Sequence, residues 1–144
     1  MPRPTPDDIP GEIRDQITAL GYSGIMEYSE HLGLNGQRLL TIFRAKHSAL
    51  KVYVRLCKRL GITLDALAEI IAAGELQSLL QSFAAKEQKS LRQLSVELGA
   101  SSGFLAEKIR TPGLGMLTTY IEVSQVLNKS LQEFAEILLR NNCH

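Results

Sequence analysis

Arg38, Thr41 and Arg44, with Gln37 beside them and Asn35 in the turn just before, bring two guanidinium groups, a hydroxyl and two carboxamides into one short stretch. Carboxamides pair bidentately with adenine and guanidinium groups with guanine, so this set has the hydrogen-bonding types that read base edges. Gln37, Arg38, Thr41 and Arg44 point away from the face that Leu39 and Ile42 would bury, and Asn35 joins them as a candidate reader. Downstream, Lys51, Arg55 and Lys58 recur at i, i+4, i+7 and form a stripe along one side of a helix. Between Glu30 and Asp65 there is no acidic residue, while the interval holds Arg38, Arg44, Lys46, Lys51, Arg55, Lys58 and Arg59 as well as His31 and His47. Such a run suits a line of phosphates, whose neutralisation releases counterions and supplies sequence-independent affinity. Lys46, Lys51, Arg55, Lys58 and Arg59 are therefore the candidate phosphate contacts. A solvated helix face would use the same residue types, so each residue taken singly has two readings.

Other chemistries find little to stand on. His31, His47 and His144 have no metal-ligand spacing with Cys57, Cys143 or a carboxylate pair, so no metal site is expected. Cys57 falls on an apolar helix face as a small hydrophobe, and Cys143 lies in a terminal Asn-Asn-Cys-His tail. No glycine-rich loop follows a strand pattern, and Gly113-Leu114-Gly115 reads as a turn. Without a Ser/His/Asp constellation, an enzyme is the least favoured class, and no cofactor is expected.

The elements that carry these residues are helices. The chain has 144 residues, 44% hydrophobic and 22% charged, with 6% aromatics and no tryptophan, a composition that favours packed helices over a sandwich or barrel. Its net charge of +1, from 16 Lys+Arg and 15 Asp+Glu, conceals the local basic run. No apolar stretch approaches the roughly 20 residues of a membrane span. The N-terminus lacks the apolar segment of a secretory signal, so a cytoplasmic location is expected.

The chain also repeats itself. A shift of 66 places Ser29 on Ser95, Leu32-Gly33 on Leu98-Gly99, Leu39 on Leu105 and Arg44 on Arg110. A shift of 67 places Tyr53-Val54 on Tyr120-Ile121, Leu60 on Leu127, Leu64 on Leu131 and Ala68-Glu69-Ile70 on Ala135-Glu136-Ile137. The expected organisation is all-α: a Pro-rich flexible arm over 1–11, two five-helix copies over 12–74 and 75–140 packed as one compact body, and a tail over 141–144. In copy one, Ile13, Ile17 and Leu20 share a face ahead of Gly21, and a second helix over 25–32 follows a Ser23 cap. A third helix spans 36–45 and a fourth spans 49–60, closed by Gly61. A fifth starts behind Thr63. Copy two repeats this punctuation: a stripe of Leu76, Leu79, Leu80 and Phe83, a Ser90/Gln93 capping box, Asn128 for Gly61, and a second capping box at Ser130/Glu133.

The segment from Ile25 to Arg44 has the spacing of a helix-turn-helix, with small Ser29 at the helix crossing and Gly33 four places later for a positive φ. With the flanking helices and the ending Leu60-Gly-Ile-Thr-Leu-Asp-Ala-Leu67, it resembles the lambda-repressor-like, Cro/xenobiotic-response-element family of DNA-binding domains. Ser90 to Leu105, continued through Leu127 to Phe134, is similar to the same family. The resemblance implies tandem helix-turn-helix units in a transcriptional regulator, a repressor in the simplest case, whose third helix enters the major groove of double-stranded DNA. Many members open the second helix with a phosphate-clamping glutamine, where this chain has Ile25 and Leu91. Copy two has Phe104 in place of Arg38, and Glu107 on the presumed reading face. The first copy is accordingly expected to read DNA, and Phe104, Lys108 and Arg110 of the second to serve packing, a homodimer or a protein partner. The alternative is an adaptor or antitoxin-like protein that turns the fold to protein binding.

Overall fold

Residues Ile13 and Ile17 are buried one turn apart, and around them the chain winds its first helix, α1 (Gly11–Ala19). The computed structural model describes residues 10–33, 39, 41–43, 47–111, 113–115 and 117–141. Most of the expected arm and the last three residues of the expected tail lie outside these. Pro10 precedes α1 as its N-cap, and Asn141 is the last residue of the final helix. The remaining helices are α2 (Ile25–Leu32), α3 (Ser48–Leu60), α4 (Leu64–Ala72), α5 (Leu76–Glu87), α6 (Leu91–Glu97), α7 (Phe104–Arg110), α8 (Leu117–Val126) and α9 (Leu131–Asn141). Leu39 and Thr41, Ile42 and Phe43 are also helical. The fold is all-α, with no strand among the described residues. Among the described residues, no helix is long and apolar enough to cross a membrane.

The punctuation follows from local chemistry. Gly61 at φ 72° and Asn128 at φ 59° occupy the same left-handed position after α3 and α8. Thr63 caps α4 by accepting the Ala66 amide at 3.1 Å, and Ser90 with Gln93 completes a reciprocal capping box on α6. The Ser130 hydroxyl accepts the Glu133 amide at 3.1 Å. Two expectations need correcting. Leu20 lies past the end of α1 as its C-cap and is 57% exposed, so it leaves the core stripe. Ser23 does not cap α2: the N-cap is Gly24, and the Ser23 hydroxyl instead donates to the Glu27 carboxylate at 2.6 Å.

The chain forms two compact units, and they are not the two consecutive copies. Unit 1 comprises residues 1–47 and 119–144, and unit 2 comprises residues 48–118. The last two helices of each copy thus belong to the unit that holds the first helices of the other copy. Matched core positions give a physical reason. Leu50, Tyr53, Leu56 and Cys57 of α3 correspond, at the shift of 67, to Leu117, Tyr120, Val123 and Ser124 of α8, and all eight are buried. Leu64, Leu67, Ala68 and Ile71 of α4 correspond likewise to Leu131, Phe134, Ala135 and Leu138 of α9, all buried. Helices with interchangeable apolar faces can fill each other's places at little cost in packing.

Within unit 1, Phe43 packs edge-on against Phe134 with ring centroids 6.3 Å apart. Gln16 donates to the Leu127 carbonyl at 2.9 Å and to the Tyr28 hydroxyl at 3.3 Å, which ties α1 to α2 and to the end of α8. Buried His47 is hydrogen-bonded through Nδ1 to the Tyr120 hydroxyl at 2.7 Å. Unit 2 is a continuous stretch of chain in which α3 and α4 pack with α5, α6 and α7.

Candidate functional site

Two helices joined by a tight turn form the centre of unit 2. Ser95 of α6 is fully buried, donates to the Leu91 carbonyl at 2.8 Å, and accepts the Leu105 amide of α7 at 3.1 Å. A larger residue would push the two helices apart, and an apolar one would leave the Leu105 amide without that partner. Gly99 turns the chain at φ 83°, and the Arg55 guanidinium lies where a Cβ at Gly99 would stand. The positive φ is what favours glycine there, since the guanidinium is the far end of a flexible side chain and can shift to admit a Cβ. The equivalents in unit 1 are buried Ser29 and Gly33, the latter at φ 74°.

The basic stripe of α3 runs beside that turn. Arg55 donates to the Leu98 carbonyl at 3.0 Å, immediately before Gly99. Arg59, half-buried, pairs near the surface with Glu87 of α5 at 2.9 Å and with Glu97 of α6 at 2.8 Å. Its guanidinium also lies 5.9 Å from the centre of the Phe83 ring, and Lys89 meets Glu97 at 2.7 Å. Hydrogen bonds from Lys89 and then Arg59 hold the Glu97 carboxyl below its usual range, and those to Glu97 and Glu87 raise Arg59. Lys51, half-buried, and Lys58, exposed, lie one turn to either side of Arg55 on the same stripe. Of the five candidate phosphate contacts, then, Lys51 and Lys58 form no ion pair among the described residues, and Arg55 is exposed as well as bonded. Arg55 and Arg59 are engaged in holding α3 to its neighbours, and Lys46 lies outside the described residues.

Among the candidate base readers, Thr41 is exposed on the helical segment whose Leu39, Ile42 and Phe43 are buried. Asn35, Gln37, Arg38 and Arg44 lie outside the described residues. Of the second copy's surface residues, Phe104 is half-buried, with its ring centroid 5.8 Å from that of Tyr53 on α3. The Lys108 ammonium sits 5.2 Å from the centre of the Phe104 ring, and Arg110 is exposed at the end of α7. Phe104 thus joins α7 to α3, with Lys108 over its ring.

Charge divides unevenly between the units. Unit 2 carries nine Lys+Arg against six Asp+Glu, a net +3, and unit 1 carries seven against nine, a net −2. By its charge alone Glu97 would oppose phosphate binding in the second copy, but that charge is taken up by Arg59 and Lys89. The Arg59–Glu97 pair spans 38 residues and His47–Tyr120 spans 73, so neither leaves a spacing signal. Cys57 is buried in α3, and burial, followed by the charge of Asp65, pushes its thiol up to about 11. It stays protonated at neutral pH and is no nucleophile there. Among the described residues, no three His, Cys, Asp or Glu side chains gather as a metal cage. No protein-family model matches this chain, and neither does any curated protein or solved structure.

Proposed function

We propose that this protein is a sequence-specific, double-stranded DNA-binding regulator of transcription, built from helix-turn-helix units of the lambda-repressor-like kind. The observation that carries the reading is the α6–turn–α7 pair. Its buried Ser95 and left-handed Gly99 set two short helices at close quarters, and Arg55 fastens a helix without a single carboxylate to their turn. The matching Ser29 and Gly33 support a second such pair in the first copy, with the segment around Thr41 as the groove-entering helix. On this reading Gln37, Arg38, Thr41 and Arg44, with Asn35, discriminate bases, and the cations of α3 supply attraction to the backbone.

The test is binding of the full chain to labelled random-sequence and selected duplexes across a salt series, with Arg38→Ala/Arg44→Ala alongside. A DNA regulator binds with affinity that falls steeply with salt, and the double variant loses discrimination between selected and random sites. Absence of binding at low salt by the folded protein would refute the proposal. The second reading, an adaptor or antitoxin-like protein, draws on unit 1, whose net −2 suits a protein partner better than a polyanion. It predicts affinity for a partner that changes little with salt.

A further inference from the structure

We infer that the exchange of helix pairs between the copies is set by polar side chains. Arg55 and Arg59 direct α3 to α5 and α6, where the Leu98 carbonyl, Glu87 and Glu97 receive them, and Glu122 and Val126 at the matching positions exclude α8 from that place. The device decides which unit holds the helix without a carboxylate. It concerns assembly, and so stands apart from the DNA-binding reading above.

Matching contacts show that both units dock their helices alike. Gln88 follows α5 at φ 56° as Gly21 follows α1 at φ 89°, and Lys89 and Tyr22 donate their amides to the Ala84 and Ile17 carbonyls in the same way. At that shift of 67, Gln16 of α1 corresponds to Phe83 of α5. Gln16 donates to the Leu127 carbonyl at the end of α8, and the Arg59 guanidinium near the end of α3 lies 5.9 Å from the centre of the Phe83 ring. The end of α8 therefore lies on α1 as the end of α3 lies on α5.

The receivers differ between the units. Leu98, Glu97 and Glu87 correspond to Leu32, His31 and Leu20, so α1 and α2 offer no carboxylate at these positions. In unit 2 Arg55 donates to the Leu98 carbonyl at 3.0 Å, and Arg59 meets both carboxylates. Were α8 docked there instead, Glu122 would face the Leu98 carbonyl with no proton to donate, and Val126 would stand beside Glu87 and Glu97. Unit 1 adds a pair of its own: Arg140 of α9 meets Glu12 of α1 at 3.1 Å, where unit 2 has Ala73 and Leu79. Pairs near the surface are individually weak. A choice between two docking places is a difference, however, and burial at the four corresponding positions of α3 and α8 largely cancels from it.

Ring-to-ring nuclear Overhauser contacts in the full chain read the arrangement. The exchanged one gives Tyr53–Phe104 and Phe43–Phe134 contacts, from rings 5.8 Å and 6.3 Å apart, and consecutive pairing would give Tyr120–Phe104. Two variants of unchanged composition move the determinants. Arg55→Glu/Arg59→Val with Glu122→Arg/Val126→Arg trades the polar faces. Glu87→Leu/Glu97→His with Leu20→Glu/His31→Glu trades the receivers. None of the eight positions is buried, so the cores are untouched, and circular dichroism checks folding. In each variant Tyr120–Phe104 should become the stronger contact and Tyr53–Phe104 the weaker. All eight changes together match faces to receivers again and should restore the wild-type pattern, a rescue that general destabilisation cannot produce. Either variant, folded and showing Tyr53–Phe104 alone, overturns the inference. The choice would then rest on apolar differences such as Val52 and Val54, buried where α8 has half-buried Thr119 and Ile121.

Discussion

Helices α3 and α8 are the same helix written twice, yet they face solvent with opposite character. Four buried positions correspond, Leu50 with Leu117, Tyr53 with Tyr120, Leu56 with Val123 and Cys57 with Ser124, while buried Val52 and Val54 of α3 stand where α8 has half-buried Thr119 and Ile121. On the outer side, Lys51, Arg55, Lys58 and Arg59 of α3 stand where α8 has Thr118, Glu122, Gln125 and Val126. The contrast separates two pressures on one element: the apolar face is tied to a packing site that either copy can fill, while the polar face is free to diverge. Because the copies exchange these helices, the basic version serves the unit that holds α6 and α7. Unit 1 receives the neutral-to-acidic version and ends with a net −2 against +3 for unit 2.

The most severe way to break this comparison is to remove a core side chain from one unit only. Phe134 is fully buried in unit 1, and Phe134→Ala should cost about 3–5 kcal/mol. Hydrogen exchange should then show lost protection in α1, α2, α8 and α9, with α3 to α7 still protected. Loss spread over 75–140 alone would mean that each copy forms its own unit. Next in size is Ser95→Ala, which leaves the Leu105 amide unpaired and should destabilise unit 2 by about 1–3 kcal/mol in urea unfolding.

A third effect sets unit 1 apart by pH. Desolvation lowers the pKa of His47, so folding favours its neutral form, while the unfolded chain takes up a proton near the ordinary histidine value of 6.5. Stability is present above that value and is lost as pH falls below it. The urea midpoint of unit 1 should fall as pH is lowered from above that value to below it, and His47→Gln should flatten that part of the dependence. The smallest change expected is from Arg59→Ala. Its pairs with Glu87 and Glu97 lie near the surface, so the loss should stay within about 1 kcal/mol and shrink further in high salt.

Much of the fold was legible in the sequence because it is written in local signals. Gly61 and Asn128, Thr63, and the Ser90/Gln93 box mark helix ends through bonds made within a few residues, and burial of Ile13, Ile17, Tyr28, Leu39 and Ile42 follows from helical periodicity. Leu20 and Ser23 misled because each sits at a helix boundary, where one residue decides between core and solvent or between cap and neighbour. The exchange of helix pairs was not legible for a physical reason. When α3 and α8 bury corresponding positions such as Leu50/Leu117 and Tyr53/Tyr120, periodicity cannot say which unit each will join. The site was affected in the same way, since the roles of Arg55, Arg59 and Glu97 depend on contacts across 28 residues or more.

The most direct test moves the charge without changing its amount. In one variant Lys51→Thr and Lys58→Gln are combined with Thr119→Lys and Gln125→Lys, so that composition and net charge are retained and the two lysines pass from α3 in unit 2 to the part of α8 that belongs to unit 1. If the backbone is held by unit 2, affinity for random-sequence duplex falls and the slope of log affinity against log salt drops by about two. Unchanged affinity and slope would show that overall charge, and not its place beside α6 and α7, draws this protein to DNA.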